Sequence, residues 1–167
     1  AAVLFVALFA GNLWDRIIVP FTENGVVAYI TVDINPSVEL GLDKDNIVVT
    51  VRPLNEDGEK LLQGIDLKGH TSAAAVDVLV NAAAQEGYLA PEKKNQVIIN
   101  VTQNVPEESK EQQVSQTIAE HTKEILEGKN LNAKVEVINT DFEVREKAKE
   151  LNLSAGKYAI LVEAKEA

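Results

Sequence analysis

The sequence predicts an α/β fold, an α/β sandwich in which helices pack against a mixed β-sheet. Short runs that are β-branched, or that alternate apolar and polar residues, are typical of strands. Longer runs with apolar residues three or four apart are typical of helices. These runs follow the order β-β-β-α-β-α-β-α, which indicates a mixed sheet covered by helices. No linker, repeat or low-complexity stretch divides residues 22–167, so we expect one cooperative domain there.

The domain is predicted to begin with strands. They are expected at residues 26–34, 37–42 and 47–51. The step between Asn35 and Pro36 must end or bend the first strand, because proline cannot donate to a sheet ladder. The polar run at 43–46 lacks the glycine and the bidentate acid of a calcium loop, so we interpret it as a hairpin turn.

Helices become frequent after the third strand. The remaining strands are expected at 95–102 and 133–138, and helices at 58–63, 72–88, 106–128, 142–151 and 156–163. Asn55 or Asp57 is suited to cap the first of these helices, and Asp141 the fourth. Gly87 is placed to end the second helix. The run at 156–163 is short enough for either a strand or a helix, and we favour a helix.

The first 21 residues differ from the rest of the chain. Residues 1–14 are almost wholly apolar but fall short of the roughly 20 residues that span a bilayer. We interpret residues 1–21 as the outer end of a transmembrane helix and a juxtamembrane stretch, with Trp14 as an interfacial anchor. A signal peptide or a buried core helix are the alternatives.

Composition excludes several classes of function. The net charge of −10 argues against nucleic-acid binding, which needs a surplus of lysine and arginine. The absence of cysteine removes disulfides and thiolate chemistry. Two histidines, His70 and His121, are too few for a usual zinc site. We therefore expect no metal and no cofactor.

The Asn35-Pro36 step is the candidate reactive site. Because Pro36 has no N–H, the usual backbone attack on the asparagine side chain is closed. The Asn35 side-chain amide can instead attack its own carbonyl carbon, form a succinimide and expel Pro36 as a new N-terminus. A fold that holds the nucleophile close would accelerate this cut. The competing interpretation is an ordinary turn, which is the common use of Asn-Pro.

Two neighbours could assist this chemistry. Asp33 lies two residues before Asn35, on the same face of an ideal strand, and could orient the amide or take its proton. It could equally be a plain exposed strand residue. Ser37 could donate to the scissile carbonyl or cap the turn, and Glu39 is expected to be solvated. A rival reaction, an N–O acyl shift, would cut the bond between Pro36 and Ser37. The sequence contains no motif for catalytic turnover of an external substrate.

Two stretches resemble a known family. Residues 28–41 (AYITVDINPSVELG) and 54–62 (LNEDGEKLL) are similar to the extracytoplasmic domain of RsgI-type transmembrane anti-sigma factors. The similarity is dense over residues 26–62 and looser towards the C-terminus, and the upstream apolar segment fits the same pattern. The resemblance implies self-cleavage at Asn35-Pro36, with the two pieces (strand 26–35 and residues 36–167) remaining associated.

The resemblance also implies a signalling pathway. The protein would be a single-pass bacterial membrane protein with residues 22–167 outside and a sigma-binding domain inside. Loss of the C-terminal piece, triggered by load or a ligand such as a polysaccharide, would expose the remaining stub to an intramembrane protease and free the sigma factor. The alternative function is an uncleaved membrane-proximal interaction or spacer domain, and neither is an enzyme acting on an external substrate.

Overall fold

The described residues form a five-stranded sheet and five helices. The computed structural model describes residues 25–103 and 108–166. In chain order the elements are β1 (Ala28–Asp33), β2 (Ser37–Leu42), β3 (Val48–Pro53), α1 (Glu56–Leu61), α2 (Ser72–Gln85), β4 (Asn95–Gln103), α3 (Glu108–Gly128), β5 (Ala133–Thr140), α4 (Phe142–Glu150) and α5 (Ala155–Glu166). The predicted α/β class is confirmed, and the run at 156–163 is helical, within α5.

The sheet is mixed, with strand order β3-β2-β1-β4-β5. β1 pairs antiparallel with both β2 and β4, whereas β5 is parallel to β4 and reached through the α3 crossover. All six residues of β1 pair with both neighbours. β1 is therefore the central strand, although it comes first in the described chain.

The two faces of the sheet are covered by different helix pairs. The apolar cluster joins Ile30 and Val32 of β1 to residues of α2 and α3, including Leu79 and Ile118. On the opposite face, α4 and α5 cover side chains that include the ring of Tyr29, which contacts Phe142 at 5.6 Å between ring centroids. The sheet is thus the middle layer of a three-layer sandwich.

Local signals placed the helix ends. Asn55 caps α1 by accepting the Gly58 N–H at 2.8 Å, which settles the choice between the two candidate caps. Asp141 caps α4 as predicted, and Gly87 follows α2 with a φ of +76° that glycine adopts readily. The turn at 43–46 is a hairpin turn, closed by a hydrogen bond from the Asp43 N–H to the Ile47 carbonyl.

Two predicted features involve residues that the structure does not describe. The expected membrane segment at 1–21 and the helix start at Pro106 lie outside the described residues. Within the described ranges, no helix has both the length and the apolar character that crossing a bilayer requires.

Candidate functional site

Asn35 lies at the tip of the β1–β2 hairpin, between the paired residues Asp33 and Ser37. It is exposed, whereas Pro36 beside it is buried. Its φ is +73°, a left-handed conformation that few non-glycine residues adopt. A residue before proline normally prefers an extended backbone, so the conformation of Asn35 stores backbone strain next to the Asn35-Pro36 bond.

The turn is held on both sides of Asn35. The Ile34 N–H donates to the Pro36 carbonyl at 2.8 Å, which closes the backbone around Asn35. The Ser37 N–H donates to Asn55 Oδ1 at 3.0 Å. Hydrogen bonds therefore fix the Asp33-Ile34 peptide unit before Asn35 and the Pro36-Ser37 peptide unit after it.

The N-terminus of α1 is docked against this turn. Leu54 donates its N–H to the Ser37 carbonyl at 2.9 Å. A side chain on Gly58 would overlap the same carbonyl, so this close approach requires glycine. Asn55 completes the contact, because its Nδ2 lies 3.5 Å from Asn35 Oδ1 in donor geometry.

Asp33 is buried below the turn, with a relative exposure of 3%. Ser154 donates its hydroxyl to Asp33 Oδ2 at 2.6 Å, and Lys157 Nζ lies 3.5 Å from Oδ1. Lys157 also donates to Ser37 Oγ at 2.7 Å. The interpretation of Asp33 as a plain exposed strand residue is therefore wrong.

The strand-face argument that paired Asp33 with Asn35 does not hold at the turn. The left-handed backbone at Asn35 interrupts the alternation of side chains, so Asn35 faces solvent while Asp33 faces α5. The described partners of the Asp33 carboxylate belong to α5 and the residue before it, Ser154 and Lys157. Asp33 and Ser37 are linked to each other through Lys157, and their catalytic roles stay predictions.

Glu39 is not solvated, contrary to expectation. It has a relative exposure of 5% and accepts two hydrogen bonds from Arg145, at 2.9 and 2.8 Å, and two more from Arg52, at 3.2 and 2.9 Å. The Arg145 guanidinium also stacks 3.6 Å above the Tyr29 ring. Burial alone would lower the pKa of Arg145, but the hydrogen bonds and charge of Glu39 outweigh it and raise that pKa.

Sequence reasoning missed the residues that reach the site from far along the chain. Ser154 and Lys157 lie more than a hundred positions from Asp33 and Ser37, so no local pattern marks them. Asn55 did carry a signal, since it is a helix cap within the second stretch that resembles the family. In the described part of the chain, no cluster of histidine, aspartate and glutamate could hold a metal ion.

One family of known proteins matches most of the chain. The family described as the anti-sigma factor RsgI-like central domain matches residues 27–163, most of the chain. The chain belongs to this family. The predicted resemblance is confirmed, and the matched region contains the hairpin, α1 and the start of α5.

Curated relatives agree with this assignment. The chain is 33% identical over 150 residues to anti-sigma-I factor RsgI6 of Acetivibrio thermocellus, covering 86% of this chain and 20% of the relative. It is 30% identical over 148 residues to anti-sigma-I factor RsgI of Bacillus subtilis, covering 87% of this chain and 38% of the relative. The chain thus spans between a fifth and two-fifths of the length of these relatives.

Proposed function

We propose that this chain is the extracytoplasmic domain of a transmembrane anti-sigma factor and that it cuts its own backbone between Asn35 and Pro36. The observation that carries the proposal is the strained, exposed Asn35 at the tip of a hairpin whose flanking peptides are fixed. Membership of the RsgI-like central domain family supports the same conclusion.

The proposed cut is an intramolecular cyclisation of Asn35. Its Nδ2 forms a bond to the Asn35 carbonyl carbon, and the bond from that carbon to the Pro36 nitrogen breaks. The proton lost by Nδ2 is taken up by the Pro36 nitrogen, which leaves as a secondary amine. The products are a C-terminal succinimide on one piece and a free Pro36 on the other, in a single turnover without an external substrate.

The fold favours this reaction in two ways. Hydrogen bonds on both sides of Asn35 restrict its backbone, which lowers the entropic barrier that a flexible peptide faces before the side chain can attack the carbonyl. The left-handed backbone at Asn35 is of the kind that costs about 1–3 kcal/mol, and breaking the chain beside it releases that strain. Pro36 closes the competing backbone route to deamidation because it lacks an N–H.

The cut would leave β1 without a covalent link to the rest of the sheet. β1 would remain between β2 and β4 through its two antiparallel ladders and the burial of Ile30 and Val32. Individual hydrogen bonds contribute only about 0.5–1.5 kcal/mol net, so the association depends on many contacts acting together. Such an assembly would hold firmly and then separate all at once.

Separation of the two pieces is the proposed signal. The N-terminal piece, ending at Asn35, would stay in the membrane by a segment preceding β1, and the C-terminal piece would be removed by load or by a ligand such as a polysaccharide. The exposed stub would become a substrate for an intramembrane protease, which would release a sigma factor from a cytoplasmic domain. These partners are proposed from family membership, since this chain spans only part of its relatives.

The alternative is an uncut spacer or interaction domain beside the membrane. Denaturing electrophoresis of the purified chain separates the two proposals. We expect two fragments from the wild type and one band from Asn35→Ala. Asn35→Gly is the matched control, because glycine keeps the left-handed backbone and removes only the nucleophile. A wild-type chain that stays whole after long incubation would leave the spacer function.

A further inference from the structure

The side chain of Asn55 contacts three parts of the site: the first turn of α1, the backbone of Ser37 and the side chain of Asn35. Its Oδ1 accepts the N–H groups of Gly58 and Ser37, at 2.8 and 3.0 Å. Its Nδ2 points at Asn35 Oδ1, 3.5 Å away. A single carboxamide therefore joins the start of α1, the residue after Pro36 and the side chain of Asn35.

We infer that Asn55 is a positioning residue for self-cleavage, which holds Asn35 by its Oδ1 and leaves Nδ2 free to attack. The inference rests on the proposed function. A carboxamide is planar, so fixing its oxygen on one side turns its nitrogen to the other side. The two hydrogen bonds to Asn55 Oδ1 orient Asn55 in the same way, because they direct its Nδ2 towards Asn35.

The same contact favours the chemistry of the nucleophile. An amide nitrogen attacks as it loses a proton, and negative charge then builds on the amide oxygen, here Asn35 Oδ1. A donor aimed at that oxygen stabilises the charge. The 3.5 Å separation is long for a hydrogen bond between neutral groups, and such contacts shorten as charge develops.

Two substitutions separate this role from helix capping. Asn55→Asp keeps an oxygen that can accept both backbone N–H groups and is an equally good N-cap, but it lacks the N–H donor. Asn55→Ser keeps a capping oxygen without adding a charge, and its side chain is too short to reach Asn35. Both should fold, with the amides of Gly58 and Ser37 still protected from hydrogen exchange in Asn55→Asp.

In the experiment, the 167-residue chain is labelled during a short pulse of cell-free synthesis. The fraction of labelled chain that is cleaved is then measured over time. We expect both variants to reach the same final cleaved fraction as the wild type, with a rate constant lower by about 10-fold or more, the usual effect of losing one hydrogen bond to a charged group. A capping role alone would instead reduce the cleaved fraction by leaving part of the protein misfolded.

Each result decides the matter. Variants that cleave at the wild-type rate overturn the positioning role and leave the self-cleavage proposal standing. Variants with a smaller cleaved fraction and unprotected Gly58 amide overturn it as well, because Asn55 would then act only through the fold. A wild type that does not cleave, with folded controls, overturns the self-cleavage proposal itself.

Discussion

The two faces of the sheet are built from different chemistry. The face under α2 and α3 is closed by aliphatic side chains such as Ile30 and Leu79. The face under α4 and α5 buries polar and charged side chains along β1, β2 and β4, namely Thr31, Asp33, Ser37, Glu39, Asn100 and Thr102. No residue of α4 or α5 belongs to the apolar cluster of the described chain.

This difference indicates that the apolar face mainly supplies stability, whereas the polar face mainly sets the geometry of the site. Apolar burial is non-directional, so the α2–α3 face can hold β1 in place whether or not its backbone is cut. The polar face depends on directed contacts, and one of them, Asp33 with Ser154 and Lys157, lies at the end of β1 that leads into the turn. We expect substitutions on the two faces to affect stability and cleavage differently.

The largest effect is expected where the polar face carries a buried ion pair. Arg145→Met would leave Glu39 buried with only Arg52, whose side chain is 45% exposed. Breaking one partner of a buried pair typically costs about 3–5 kcal/mol. We expect a fall of that order in the free energy of unfolding, measured by urea denaturation of the uncleavable Asn35→Gly chain.

A double variant is the control for this ion pair. Replacing both partners, Glu39→Leu with Arg145→Met, removes both buried charges and should recover most of the loss, because the charges left without these partners, on Arg52 and Glu146, are largely exposed. A double variant as unstable as Arg145→Met alone would show that the polar face is stabilised by shape and not by charge pairing.

A truncation on the apolar face should separate stability from chemistry. Leu79→Ala removes a side chain that is 1% exposed, and such truncations cost about 2–5 kcal/mol. Below its melting temperature the variant should cleave at the wild-type rate, because no contact of Asn35 changes. The cut pieces should, however, dissociate at a lower urea concentration. A slowed cut would contradict the proposed division between the faces.

The contact between α5 and the turn should show the reverse pattern. Ser154→Ala leaves Asp33 Oδ2 without its 2.6 Å donor, and an unsatisfied buried group costs about 1–3 kcal/mol. Because Asp33 precedes the turn, we expect slower cleavage as well, measured by the same pulse experiment. Ser154→Thr, which keeps the hydroxyl, is the matched control. Equal cleavage rates for Ser154→Ala and the wild type would show that Asp33 has no role in cleavage.

The smallest effect is expected on α2, where Asp77 lies 3.6 Å from His121. Burial raises the pKa of Asp77 above its ordinary value of 3.8, more than His121 lowers it. The folded protein then holds this proton more tightly than the unfolded chain, so stability is lost as pH rises through and above 3.8. Asp77→Asn should raise the melting temperature by about 1–2 °C at pH 7.

The control for Asp77→Asn is pH. Well below pH 3.8 the wild-type carboxyl is protonated in both the folded and the unfolded state, so the difference in melting temperature should disappear. A difference that persists in acid would assign the effect to packing. Cleavage should be unchanged at either pH relative to the wild type, because the described charged partner of Asp77 is His121 on α3 and not a residue of the turn.

Local sequence was sufficient for most of the fold. Alternation located β2 at its observed bounds, and the capping residue Asp141 located the start of α4, whereas α1 begins at Glu56, two residues before the predicted position 58. The sequence-based prediction was wrong for the polar face of the sheet. Glu39 was expected in solvent because a polar residue in an alternating strand usually faces water, but α4 covers it. Sequence alternation cannot show that a second helix layer brings an arginine from more than a hundred residues away.

The candidate site was predicted in part. Asn35, Pro36 and their turn follow from the properties of the dipeptide, and the structure adds the left-handed backbone at Asn35. The docking of α1 through Gly58 and the link from Lys157 to Ser37 are long-range contacts without a local signature. They were beyond prediction because they depend on how the helices pack, and not on any pattern within one element.

The central claim is that the Asn35 side chain breaks its own backbone ahead of Pro36. Intact-mass analysis with sequencing of both pieces tests it most directly. The account predicts one piece that begins at Pro36 and another that ends at Asn35, one water lighter than the free acid or already opened to a mixture of asparagine and isoasparagine. A chain that keeps its full mass, or a piece that begins at Ser37, would contradict it.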